Sequence, residues 1–304
     1  MAKALVIRGG AIGDFILTLP AMQLLRQSLP ELEIDVLGYK PVVDLALKAG
    51  VADRVRSFEH GLYAPLFMPG ADIKPELEAW LGGFQLIISY LHDPAAIFAA
   101  NLKRFTRATH LAGPARVDET STRHAAQQLA KPLEQLAMWL EDEAASLSTG
   151  GTAPDADGKI ALHPGSGGLH KCWPLEQWLA VAGQLEQDGA RIVWITGEAE
   201  IERGVTTRLH EAFSASTFEH WDSLPLAELS GRLAGECRAF IGHDSGITHL
   251  ANACGLAGLA IFGPTNPEIW RPWMGSIQVL TAPGGSFDQL QAADVLAKID
   301  TCMS

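Results

Sequence analysis

Three glycine-rich strings carry the residue types that can do chemistry on a polar, anionic ligand. The first, RGGAIGD at residues 8–14, lies between an apolar β-type run and a helical pattern. Glycines at such a junction let the backbone approach a ligand, and the helix that follows opens with unpaired amides that suit an anion. Asp14 closes the string, and its carboxylate can either accept a proton from a bound hydroxyl or cap the helix. A dinucleotide fingerprint needs Gly-x-Gly-x-x-Gly; the aligned positions are Arg8, Gly10 and Gly13, one glycine short.

The second string is HPGSGGLHKCWP at residues 163–174. Its small residues, Ser166 and Gly167 among them, expose backbone amides, and Lys171 adds a mobile cation suited to a diphosphate. It is not a Walker loop, because His170 and Cys172 stand where that motif needs Gly and Ser or Thr. In the third, GHDSGITHL at residues 242–250, a strand ends and a helix begins, so amides and positive dipole point at the same end of the sheet as Lys171. Asp244 is placed to accept hydrogen bonds from sugar or ribose hydroxyls, with Ser245 and Gly246 at the helix start. His249, one turn inside, is either a site residue or a packed histidine. The string does not match the Gly-x-Ser-x-Gly nucleophile elbow. A weaker feature is Glu198, after another strand, which fits the two hydroxyls of a ribose or simply the positive end of a helix.

The elements that must hold these strings alternate between short β-rich runs and helical patterns, the mark of βαβ units with parallel sheets. Strands are expected at residues 4–7, 34–37, 54–58, 86–90, 159–163, 191–196, 239–242 and 259–262. Helical periodicity covers residues 15–25 with Pro20 inside it, so a kink or a late helix start is expected there. Between residues 146 and 158 the chain reads SLSTGGTAPDADG, the composition of a linker. Two doubly wound domains are therefore expected, 1–150 and 151–304, binding ligand in a cleft at the carboxyl ends of their strands.

Composition narrows the function. A net charge of −12 argues against nucleic acid as a partner. Residues 1–150 carry a net of −3 and residues 151–304 a net of −9, and the first half holds a local basic stretch with Lys103, Arg104, Arg107, Arg116 and Arg123. That stretch is either a solvated face or a surface for an anionic acceptor. The four cysteines form no C-x-x-C pair, which suggests neither a zinc site nor a disulfide framework and fits a reducing cytoplasm. No export signal and no membrane span is expected; peripheral attachment to the inner face of the membrane stays compatible.

Together the strings resemble glycosyltransferase family 9, the ADP-heptose:lipopolysaccharide heptosyltransferases. The resemblance rests on residues 6–8 with 12–14 and 17–21, on 163–166 with 171–174, on 244–246 with 249–251, and on 262–265, in family order. It implies a GT-B architecture of two Rossmann-like domains, acceptor in the first and nucleotide-sugar donor in the second, and an inverting transfer with no cofactor and no bound metal. By motif position Asp14 looks like the catalytic base and Lys171 like the cation at the donor phosphates. Ser166, Gly167, Asp244, Ser245, Gly246 and His249 look like donor contacts, and Glu198 like the acid on the ribose. Asp14 as a base would need burial to raise its affinity for a proton. Arg104, Arg107, Arg116 and Arg123 are candidates for the acceptor, a glycolipid or other anionic molecule. Another nucleotide sugar in the same fold, or a Rossmann NAD-dependent oxidoreductase with Asp35 at the ribose, are the alternatives.

Overall fold

The computed structural model describes residues 2–59, 61–142, 146–147, 157–213 and 219–302. The chain divides into two compact units, Met1–Ala145 and Ser146–Ser304.

The first unit holds five strands: β1 (Lys3–Arg8), β2 (Glu33–Gly38), β3 (Arg54–Ser57), β4 (Leu86–Tyr90) and β5 (Thr109–Ala112). All pair in parallel, in the order β3-β2-β1-β4-β5. Parallel strands are joined by crossovers that cover both faces of the sheet, which is why the inner strands read as apolar runs. Leu5 and Ile7 of β1 and Ile87 of β4 are buried with Phe98 and Leu102 of the helix Ile97–Phe105. Strand order reverses between β1 and β4, so the loop after β1, with Asp14, leaves from the switch point where open α/β sheets bind ligands.

The second unit holds β6 (Lys159–His163), β7 (Ile192–Thr196), β8 (Glu219–Asp222), β9 (Cys237–His243), β10 (Ala257–Phe262) and β11 (Ile277–Thr281). They form a parallel sheet in the order β11-β10-β9-β6-β7-β8. Here the order reverses between β6 and β9, and the loops after these two strands are the Lys171 and Asp244 strings. Ile160, Leu162, Ile241 and Leu259 pack with Trp173, Trp178 and Trp194 into the core of this unit.

The late helix start expected at Pro20 is present: one short helix ends at Ile16, and a second, Leu19–Ser28, has Pro20 in its first turn, where a missing N–H costs nothing. Two features depart from the sequence reading. Strands β5, β8 and β11 were not expected. The linker expected at 146–158 begins with an anchored residue, since Leu147 is buried and its amide donates to Ala253 O at 2.7 Å. Residues 148–156 of it lie outside the described residues.

Close strand packing makes one glycine irreplaceable. Gly258 of β10 has φ +148°, and a Cβ there would come within 1.8 Å of Phe240 O on the neighbouring β9. Gly258→Ala is expected to destabilise the second unit by about 3 kcal/mol, from backbone shift plus strain, read as a lower urea midpoint. A midpoint equal to that of the native chain would show that the strands separate at no cost.

Candidate functional site

In the first unit, the site is built on β1. Its last residue, Arg8, is 1% exposed, a charge held inside the unit. Burial pulls its guanidinium below the usual arginine range, with Asp14 and Tyr90 opposing. Arg8 Nη2 donates to Asp14 Oδ1 at 3.1 Å, Nη1 to Ala115 O at 3.4 Å, and the guanidinium lies 5.5 Å from the centre of the Tyr90 ring. Asp14 sits in the first turn of the helix Ile12–Ile16, whose N-cap is Ala11, so it does not cap that helix. Gly10 makes the turn at φ +103°, with the Asp14 side chain folded over it. The result is a partly exposed carboxylate with a buried cation directly behind it.

In the second unit, the loops after β6 and β9 are tied together. Lys171 Nζ donates to Asp244 Oδ2 at 2.9 Å, and Ser166 Oγ to Asp244 O at 2.8 Å. Asp244 is 7% exposed, so the lysine compensates a carboxylate that is largely withdrawn from water. Beneath them is His243. Its Nε2 accepts from Trp173 N at 2.8 Å and from Trp178 Nε1 at 3.3 Å, which leaves Nδ1 to carry the hydrogen toward Gly165 O at 3.3 Å. Burial pushes this imidazole down to about 3, with the neighbouring His163 adding to the effect. His163, also buried and lowered by burial, bonds through Nδ1 with Ile195 O at 3.0 Å. Ser245 caps the helix Gly246–Ala253, its Oγ accepting from Thr248 N at 3.3 Å. The amides of Gly246 and Ile247 belong to the first turn, which has no carbonyl of its own helix to bind.

The expected donor residues thus fall together at one switch point: Ser166, Lys171, Asp244, Ser245 and Gly246, with Gly167 exposed on the loop and His249 buried one turn inside the helix. Glu198 opens the next helix, Glu198–Glu202, and is exposed. Its neighbour Glu200 is the buried one; Oε2 accepts from Gly197 N at 3.0 Å, and a Cβ on Gly165 would lie 2.1 Å from Oε1. Arg203 was not foreseen. It donates to Ser166 O at 2.8 Å and Gly167 O at 3.3 Å, bracing the loop from outside.

The four arginines suggested for the acceptor do not converge. Arg104 and Arg107 border a cavity between the helix Ile97–Phe105 and the amino ends of β4 and β5, at the opposite edge of the sheet from Asp14. Arg104 is paired with Asp72 at 3.2 Å and Arg123 with Glu134 at 2.7 Å. Arg116 alone of the four is exposed next to a residue of the Asp14 cluster, Ala115, which accepts from Arg8.

Two doubly wound parallel units define a protein of the two-domain GT-B class. A family model described as glycosyltransferase family 9 (heptosyltransferase) matches residues 98–299. The chain belongs to glycosyltransferase family 9. Residues 1–97, Asp14 included, lie outside that match. Lipopolysaccharide heptosyltransferase 1 of Escherichia coli O18:K1:H7 (strain RS218 / NMEC) is 31% identical over 124 residues, which are 40% of this chain and 36% of that protein. The alignment therefore spans little more than a third of the length of that curated relative. The crystal structure of the glycosyl transferase family 9 from Veillonella parvula DSM 2008 superposes with a TM-score of 0.77 at 19% identity, covering 99% of this chain and 97% of that one. E. coli heptosyltransferase WaaC with ADP gives 0.74 at 21% identity, covering 99% of each chain.

The His243 hydrogen bonds require a neutral ring, and this sets a pH dependence. In the unfolded chain a histidine binds its proton near 6.5, in the folded one only near 3, so the unfolded state holds more protons between those values. The stability His243 contributes is complete above about pH 6.5 and is lost as pH falls toward 3. His163 acts in the same direction. Urea midpoints measured from pH 7.5 to 4 are expected to fall for the native chain. The His243→Gln variant, less stable at neutral pH, should fall less steeply. Parallel curves would show that the ring does not titrate with unfolding.

Proposed function

We propose that the protein is an inverting glycosyltransferase that moves a heptose from ADP-heptose to a lipopolysaccharide-core or related acceptor, without a metal or other cofactor. The observation that carries the reading is the Lys171–Asp244 pair beside the helix that starts at Gly246, at the switch point of the second sheet. A cation, exposed amides and a helix amino end are the groups a leaving diphosphate needs. In the transfer, an acceptor hydroxyl oxygen bonds to the anomeric carbon as the bond from that carbon to the phosphate oxygen breaks. The electron pair leaves with ADP and the hydroxyl proton goes to Asp14. Lys171, the Ser166 and Gly167 amides and the first turn at Gly246 would take the growing charge on the diphosphate. Asp244 would receive donor-sugar hydroxyls and Glu198 the ribose. Arg116, exposed one residue from Ala115, is the arginine best placed for an anionic acceptor. The relatives' names support heptose as the sugar.

In the ligand-free chain Lys171 is already neutralised. A diphosphate must draw it from Asp244, and ADP alone then leaves that carboxylate buried and unpaired beside phosphate charge, a costly arrangement. A sugar nucleotide relieves this by placing hydroxyls on Asp244. The loop amides and the helix amino end still favour a bound diphosphate, so ADP is expected to raise the Tm of the native chain modestly, unchanged by EDTA, and UDP, GDP and NAD are not. Lys171→Ala should weaken ADP by about tenfold or more, whereas Asp244→Asn should tighten ADP severalfold while slowing transfer. A shift with UDP or GDP instead would change the donor, and a shift with NAD alone would overturn the assignment.

Asp14 is tested separately, because its unit need not bind donor. Asp14→Asn keeps the shape of the side chain and removes the base, so turnover should fall by about 100-fold or more while the ADP-induced shift in Tm is retained. Undiminished turnover would remove Asp14 from the mechanism.

A further inference from the structure

The carboxyl edge of the first sheet carries aromatic surface that the transfer chemistry leaves unused. Tyr39, directly after β2, is 48% exposed, and Phe67 and Met68 are 44% and 57% exposed. A Cβ on Gly9 would lie 3.3 Å from Tyr39 Cε2, so the Tyr39 ring runs along the backbone of the loop that carries Asp14. From there a series of rings runs to the core: Phe58 is 5.9 Å from Tyr39, Phe67 is 6.4 Å from Phe58, and the buried Phe98 stacks on Phe67 at 5.4 Å.

This surface is held in place. Asn101, buried in the helix Ile97–Phe105, donates Nδ2 to Leu66 O at 3.0 Å and to Met68 O at 2.9 Å. Arg104 Nη1 donates to Ala71 O at 2.8 Å. The pinned segment turns Phe67 and Met68 to solvent. Pinning also removes the entropy that a loose loop would lose on binding.

We infer that Tyr39 and Phe67 form a stacking platform for a sugar ring of the acceptor glycan, an inference that rests on the glycosyl-transfer reading above. The C–H-rich face of a pyranose carries the partial positive charge that an aromatic face attracts, and its hydroxyls stay in water at the rim. Position argues for the acceptor, because Tyr39 touches the loop of Asp14, the group that would deprotonate it. Charge argues against a membrane surface as the occupant. Lys40 and Asp44 follow Tyr39, Glu59 follows Phe58, and Arg104 is ion-paired with Asp72, so the patch lacks the basic excess that anionic lipid requires.

The test uses the full chain and a deacylated lipopolysaccharide inner-core oligosaccharide as probe, with binding read by saturation-transfer NMR and by titration. Tyr39→Ala and Phe67→Ala should each weaken it by about tenfold and raise the acceptor KM with little change in kcat. Tyr39→Phe and Phe67→Trp should bind as the native chain does. In all four variants the ADP-induced shift in Tm should be retained, since the loops proposed to hold the donor belong to the other unit. Absence of oligosaccharide binding by the native chain, or equal binding by the alanine variants, overturns the platform. So does a loss of binding to phosphatidylglycerol vesicles with oligosaccharide binding intact, which would make the patch a membrane contact. Failure of the native chain to bind ADP strikes the transfer reading instead, and the two failures are read in separate titrations.

Discussion

The imidazole of His243 is the interaction on which the second unit's site depends. It sits at the end of β9 and binds three groups of the loop and helix after β6: the Trp173 amide, the Trp178 indole and the Gly165 carbonyl. Two segments about 70 residues apart in sequence are thereby fixed to one ring, and the ring must be neutral to accept at Nε2. Both tryptophans are buried, so the polar bonds stand in a dry environment where a broken one is costly. Lys171 and Asp244 each lie close in sequence to one of these anchored residues. The ring thus joins the two segments on which Lys171 and Asp244 meet at 2.9 Å.

The first unit solves a similar problem with a charge. Arg8 is buried behind Asp14, and its guanidinium can be accommodated there because Asp14 and the Ala115 carbonyl receive its hydrogens and Tyr90 covers a face. A buried arginine without such partners would be expelled or strongly destabilising. The constraint runs both ways: the buried guanidinium gives one of its hydrogens to Asp14, and that bond fixes which way the Asp14 carboxylate faces. In each unit a candidate site carboxylate thus stands directly in front of a buried polar group.

Much of this was legible in the sequence where burial on both faces forced apolar runs. Strands β4 and β6 were delimited to the residue for that reason. The strands that escaped, THLA, EHWD and IQVLT, are all at sheet edges, where one side meets water and no apolar run is needed. The site strings were readable because glycines and helix starts at strand ends are local signals. Arg203 was not, since its bonds to Ser166 and Gly167 join residues more than 30 positions apart and it reads as one more surface cation of a helix. The acid pair Glu198 and Glu200 shows the same limit. Both suit a helix start, and only folding decides that the third helical residue turns back onto Gly197 while the first remains in solvent. The basic stretch shows the converse: Arg104 and Arg116 are close in sequence yet lie at opposite edges of one sheet, because a strand separates them.

Charge is the remaining apparent conflict, because the half assigned to an anionic donor carries a net of −9. Net charge acts at long range, and at physiological ionic strength it is screened beyond about 8 Å. What a diphosphate at the switch point would meet is what lies within that distance: Lys171, the loop amides braced by Arg203, and the first turn at Gly246. Two acids lie at this group: Asp244, already matched by Lys171, and the buried Glu200 against Gly165, whose Oε2 accepts from Gly197 N. The remainder of the acidic excess includes groups turned to solvent or paired elsewhere, as Glu219 and Glu236 are with Lys159 at 2.6 Å. Local geometry therefore outweighs the total, and the acidic balance bears on solubility and on long-range partners such as nucleic acid rather than on which ligand the loops can hold.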